Sequence, residues 1–315
     1  MAKSSGRDSI QLAHLADYNP APMPKPPPAP PLEEIVAIVG VGLIGGSLAA
    51  ALRQRMIARR VIGVGRDASR LEAARKAGLI DEGSTDLAEV ARRANLIVFC
   101  TPVDRVAEGV RTALAGLSSD STLHTSHSAL LLTDAGSVKS PICEALADVP
   151  NFIGAHPIAG SHRQGFEAAD ANLFEGKVCV LTPLPSADEE QVHRLERFWQ
   201  AVGMKAVTMT PGDHDRALAM TSHLPHVVAS SLAATLSPEN RSLTGTGFRD
   251  TTRVAAGDPT LWSGILLNNV AHVVAGIDEV QHRLESFRTA LKLGNADVLK
   301  QLLEEGRANR EALDP

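Results

Sequence analysis

The chain has 315 residues, 44% hydrophobic and 21% charged, with a formal net charge of -5. That length accommodates two domains with cores of their own, and the composition excludes a disordered or fibrous chain. The mild acidic balance lacks a large basic block, so neither nucleic acid nor an anionic membrane is an expected partner.

Residues 1–33 are polar and then proline-dense, and read as a disordered tail with no apolar stretch of the signal-peptide kind. Ile35–Val39 is an apolar run that leads into Gly40-x-Gly42-x-x-Gly45 and then a helix-like segment, Ser47 to Arg55. In that context the first glycine permits a tight turn, the second a close approach to a pyrophosphate, and the third close helix–strand packing. Gly40, Gly42, Leu43, Ile44 and Gly45 are the expected cradle of a dinucleotide. Further strands are expected at Val61–Gly65, Leu96–Cys100, Leu130–Asp134, Phe152–Gly154 and Val178–Leu181. Helices are expected near Ser69–Ala77, Leu87–Arg93, Val103–Leu114 and Lys139–Ala147, with a polar loop at Ser118–Ser128. The alternation predicts a Rossmann-type α/β domain over 34–208, its parallel sheet covered on both faces.

After Met209 the strand signals stop. Asp213–Leu236, Leu261–Leu293 and Ala296–Ala312 carry helical periodicity, so 209–315 reads as an all-α domain. Its long apolar helices need a partner surface, which a homodimer would supply. No run is apolar for long enough to span a bilayer. Cys100, Cys143 and Cys179 lie far apart in or beside apolar runs, the pattern of reduced thiols in a cytoplasmic protein.

The second strand bears on the nicotinamide cofactor. Where NAD-binding folds place an acid for the ribose 2′-hydroxyl, this chain has Gly65, followed by Arg66 and Asp67. A small residue and then an arginine favours the 2′-phosphate of NADP, with NAD as the alternative should Asp67 serve as the acid. Thr101 and Pro102 end a strand at the sheet's carboxyl edge, where the nicotinamide lies, and Gly136 joins them as a candidate cofactor residue.

Four segments carry possible chemistry. Ser137, in Thr133-Asp134-Ala135-Gly136-Ser137-Val138-Lys139, is either a helix cap or a polar site residue. His156 is framed by Gly154 and Pro157 at a strand end, a setting for a base near neutral pH. Ser222, His223 and His226 follow Asp213-His214-Asp215. Two histidines with Pro225 between them and no third ligand do not make a metal site, and none is expected. Arg249, Asp250 and Arg253 could clamp a carboxylate or simply pair with one another.

The blocks VAIVGVGLIGGS, FCTPV, TDAGSVK, GAHPIAGS, TSHLPH and FRDTTR, in that order, resemble the prephenate/arogenate dehydrogenase family of tyrosine biosynthesis. The resemblance runs from Ile35 to the last helix. It implies NAD(P)-dependent oxidative decarboxylation of a cyclohexadienol. On it, His156 takes the proton of the ring hydroxyl as hydride leaves the same carbon. Ser137 holds that hydroxyl and orients His156, and Arg253 binds a substrate carboxylate. Ser222, His223 and His226 line the side-chain end, Asp250 and Asp215 steady arginine and histidine, and Trp262 packs behind. A histidine at 226 suits the ketoacid end of prephenate better than the ammonium of arogenate, which remains the alternative substrate. Two rival readings are weaker. A β-hydroxyacid dehydrogenase would show a lysine base in the second domain, and no lysine lies between Lys205 and Lys292. A non-catalytic NADP-binding sensor would not need the His156, Ser137 and Arg253 set.

Overall fold

The computed structural model describes residues 30–117, 130–160 and 163–313. The proline-rich tail up to Ala29 and the loop Ser118–Ser128 lie outside the described residues.

Among the described residues eight strands form one sheet: β1 (Glu33–Val39), β2 (Ala58–Val64), β3 (Glu82–Ser84), β4 (Leu96–Phe99), β5 (Leu131–Asp134), β6 (Phe152–Pro157), β7 (Val178–Thr182) and β8 (Lys205–Thr208). Their order is β3-β2-β1-β4-β5-β6-β7-β8. The first six strands are parallel in the doubly wound order that binds dinucleotides. The expected all-parallel sheet needs one correction. β7 runs antiparallel to β6, with His156 opposite Val180, and β8 then runs parallel to β7. A parallel return needs a crossover, usually a helix, and among its described residues the segment between β6 and β7 offers a short 3₁₀ turn, Phe166–Ala168.

Helices α1 (Leu43–Gln54), α2 (Ala68–Lys76), α3 (Leu87–Ala91), α4 (Val103–Leu117), α5 (Ser140–Ala145) and α6 (Glu189–Val202) cover this sheet. On one face α1 and α6 bury Leu48, Leu52, Leu195, Phe198 and Trp199. On the other, α4 and α5 bury Val106, Val110 and Ile142. Sequence reading missed β3, β8 and α6. α6 nevertheless carries its own signals: Asp188 caps its first turn, and Gly203 takes the left-handed conformation at its end, φ +106°.

Two of the long expected helices are broken. Asp213–Leu236 divides into α7 (Pro211–Leu218), a π turn at Ala219–His223 and α8 (Leu224–Ala234). Pro225 has no N–H for the helical ladder, and the chain widens just before it. Leu261–Leu293 divides at Asn269 into α10 (Pro259–Asn268) and α11 (Val270–Lys292), which meet at a 98° bend. α9 (Thr246–Thr252) and α12 (Ala296–Glu311) complete the helical half. Pro31–Pro315 forms a single compact unit, with α7 packed against α5 and β7. Among the described residues no single helix is long and apolar enough to cross a membrane.

Candidate active site

The glycine loop sits between β1 and α1. Gly40 adopts φ +94°, and a Cβ there would fall 2.8 Å from the Cys100 carbonyl oxygen and 3.2 Å from Thr101 Cγ2. A Cβ on Gly45 would lie 2.2 Å from the Gly40 oxygen, so α1 reaches its strand only without one. Gly42 faces open space, with nothing within 4 Å of a Cβ added there. Leu43, Ile44 and Gly45 open α1, so their N–H groups have no carbonyl four residues back within it. No acidic side chain occupies that first turn. Open space above free N–H groups at a helix N-terminus fits a dinucleotide pyrophosphate. Beside the loop, Thr101 Oγ1 is buried without a partner among the described residues, while Pro102 is exposed.

At the end of β2, Gly65 leaves ordinary space and Arg66 is exposed. The Asp67 carboxylate is committed to capping α2, accepting the N–H groups of Ser69 at 2.9 Å and Arg70 at 3.2 Å and the Ser69 hydroxyl at 2.6 Å. Those bonds, the Ser69 hydroxyl first, hold it below the usual carboxylate range. Gly136 is buried and gives its N–H to Asp134 Oδ2 at 2.8 Å.

The chemistry-bearing centre is a line of three side chains. His156 Nδ1 lies 2.9 Å from His214 Nε2, and His214 Nδ1 lies 2.7 Å from Asp215 Oδ1. Asp215 also accepts the backbone N–H groups of Lys139 and Ser140, each at 2.7 Å. A carboxylate only accepts, so His214 carries its proton on Nδ1 and presents a bare Nε2. His156 must then donate from Nδ1, which leaves its own Nε2 without a proton and with no partner among the described residues. That nitrogen is a lone-pair acceptor able to take a proton.

The electrostatics agree with this tautomer. Burial, then the neighbouring His214, Lys139 and His223, pushes His156 well below its ordinary 6.5. It is therefore neutral at physiological pH. Burial raises the Asp215 carboxyl, but the hydrogen bonds it receives outweigh burial and hold it ionised. Burial pushes the Cys100 thiol up to about 12 and Cys143 to about 11, so neither offers a thiolate.

The line continues into the helical half. Asn269 donates from Nδ2 to the Asp215 carbonyl at 2.8 Å and to His223 Nδ1 at 3.1 Å. His223 then carries its proton on Nε2, a buried donor with no acceptor among the described residues. Burial lowers this histidine to about 4. His226 stacks on Trp262 at 3.6 Å between ring centroids and 12° between planes, and its Nδ1 is likewise buried and unpartnered. Gly257 makes the stack possible, since a Cβ there would lie 2.4 Å from the indole nitrogen. His156, Asp215, His223, His226 and Trp262 thus join one connected set. Ser222 is half-buried, and Asp250 and Arg253 are exposed, their side chains making no hydrogen bond or ion pair among the described residues. Asp215 steadies His214 and two backbone groups, while the Asp250 carboxylate pairs with no arginine among the described residues. Ser137 does not cap α5, whose N-cap is Lys139, and makes no bond to His156. The group that orients the His156 ring is His214. Sequence reading named His214 but gave it no role, and passed over Asn269 altogether. The one signal for His214 was its place beside Asp215, just before the two site histidines.

Residues 48–208 match the nucleotide-binding domain of prephenate dehydrogenase, and residues 210–305 match its dimerization domain. The prephenate dehydrogenase of Bacillus subtilis is 30% identical over 90% of this chain and 76% of its own. A crystal structure of prephenate dehydrogenase from A. aeolicus, in complex with hydroxyphenyl propionate and NAD+, superposes with a TM-score of 0.81 at 32% identity, covering 89% of this chain and 98% of that one. The crystal structure of Synechocystis arogenate dehydrogenase gives a TM-score of 0.74 at 33% identity, over 89% and 99% of the two chains. The chain belongs to the prephenate dehydrogenase family.

Proposed function

We propose that this protein is an NAD(P)-dependent prephenate dehydrogenase, converting prephenate to 4-hydroxyphenylpyruvate and CO2. The observation that carries the reading is the Asp215–His214–His156 line with its bare outer nitrogen. Bound at the glycine loop, the nicotinamide cofactor supplies the two-electron acceptor for the ring carbinol carbon. His156 Nε2 takes the hydroxyl proton as the carbonyl forms, and the ketone then draws electrons from the ring carboxylate, which leaves as CO2. His214 accepts from the imidazolium that results, and the Asp215 carboxylate stabilises the pair without itself taking a proton. In this reading the Ser137 hydroxyl holds the substrate hydroxyl and Arg253 holds a carboxylate. The unpartnered nitrogens of His223 and His226 serve the side-chain end of the substrate, with Ser222 and Asp250 bordering it. A neutral base suits a dianionic substrate better than a carboxylate would.

NADP is the favoured cofactor. Arg66 is free for a 2′-phosphate, and Asp67 is occupied as a cap. The matched dimerization domain and the exposed apolar side chains of α11 support a homodimer. The three free cysteines fit a reducing compartment, the cytoplasm. Arogenate is the second substrate to weigh, given the similar Synechocystis structure. Steady-state turnover of both substrates with NAD+ and with NADP+ tests all of this together. Prephenate with NADP+ is expected to have the highest kcat/KM. Preference for arogenate would overturn the His226 argument, and preference for NAD+ the Arg66 argument. No turnover with any pair would overturn the enzyme reading.

A further inference from the structure

Lys139 is fully buried, as is Asp134, with which its ammonium pairs. The β5–β6 ladder stops at Thr133 opposite Ile153. Just beyond it, the pair takes over the two groups of Ala155: Asp134 Oδ1 accepts the Ala155 N–H at 3.1 Å, and Lys139 Nζ donates to the Ala155 carbonyl at 2.9 Å. That carbonyl belongs to the peptide leading into His156. The backbone N–H of Lys139 meanwhile donates to Asp215 Oδ1, the oxygen that also receives His214.

We propose that Lys139 is a positioning residue that fixes both ends of the Asp215–His214–His156 line, with its ammonium on the peptide before His156 and its backbone on Asp215. The inference rests on the function proposed above. The surroundings are shaped for this side chain. A Cβ on Gly154 would lie 3.5 Å from Lys139 Cδ, and one on Gly136 would lie 3.5 Å from Nζ and 2.8 Å from Asp134 Oδ2. A buried ion pair is a poor source of stability, because desolvating two charges offsets their attraction and well-packed apolar residues often serve as well. Holding the fold therefore does not account for the pair, whereas aiming the base does. The charged and titratable groups facing His156 are Asp134 from the end of β5, Lys139 from the start of α5, His214 and Asp215 from α7, His223 from the π turn and Cys179 from β7. Of these, His214, Lys139 and His223 disfavour its protonation and Asp215 favours it.

The test uses the full chain with Lys139→Met, and the neutral pair Asp134→Asn with Lys139→Met in case the single variant does not fold. Misplacing a base by about an ångström costs about 10²-fold, so kcat is expected to fall between about 10- and 100-fold with KM for prephenate nearly unchanged. The acid limb of kcat/KM is expected to move to higher pH, because a positive charge beside His156 has gone. NMR titration of the His156 ring, assigned with His156→Asn, reads the same shift without any turnover. If the parent protein turns over neither substrate, the proposed function fails, and the titration still decides the inference. A kcat within twofold of the parent together with an unmoved His156 titration would overturn it, as would a rise in KM at unchanged kcat.

Discussion

Leu52, Leu96 and Trp199 on the sheet side are fully buried, whereas Leu267, Leu284 and Leu291 on the helical side are 73%, 62% and 65% exposed. The sheet half closes on itself, with helices on both faces and an aliphatic core in each layer. In the helical half α9 and α12 bury no residue. Val270, Val274, Leu284 and Leu291 lie on one stripe of α11, separated by sums of three- and four-residue steps. One half is a finished body that carries the cofactor loop and His156. The other supplies His214, Asp215 and His223, and keeps an apolar face of the kind that a second copy would cover.

The largest effect should come from breaking the closed half. Trp199→Ala removes a fully buried side chain packed edge-on against Phe198 and Phe174, and is expected to cost about 3–5 kcal/mol in urea unfolding. Leu284→Ser with Leu291→Ser should cost each chain only about 0.5 kcal/mol or less, yet shift sedimentation toward a monomer on dilution. A dimer unaffected by that double change would move the interface off this stripe.

Arg66→Ala tests the cofactor side of the sheet half. Losing one charged partner of a phosphate is expected to lower the NADP+ to NAD+ ratio of kcat/KM by about tenfold or more. An unchanged ratio would leave Arg66 a solvated loop charge. The mildest effect is acid sensitivity where the halves meet. An unfolded chain takes a proton at His223 near pH 6.5, while burial holds the folded pKa to about 4. The folded pKa is the lower one, so stability present above pH 6.5 is lost as pH falls toward 4. His156 acts with the same sign. The urea midpoint should therefore fall between about pH 7 and pH 5, and His223→Asn should flatten the fall.

Where burial is strong and local, the sequence was legible. The apolar runs of β1, β4 and β5 and the glycine loop are periodic and bounded by turns, so both the nucleotide-binding fold and the cofactor cradle could be read. The edge strands β3 and β8 were missed, being three and four residues long with no fully apolar run. The reversal at β7 depends on what its connection lacks, which no strand pattern announces. His156 was visible because glycine and proline frame it. His214 and Asn269 were not, because their roles come from contacts 58 and 46 residues away in sequence. Lys139 looked like part of a motif with no evident task. Only its burial against Asp134 and Ala155 gives it one.

The most direct measurement is the single-turnover rate of His156→Asn with saturating prephenate and cofactor. This substitution keeps a polar side chain of similar reach but removes the basic nitrogen. The account predicts a fall of about 10²–10⁴-fold, with cofactor affinity unchanged. A rate within about threefold of the parent would show that proton removal lies elsewhere, and the Asp215–His214–His156 line would lose its catalytic meaning.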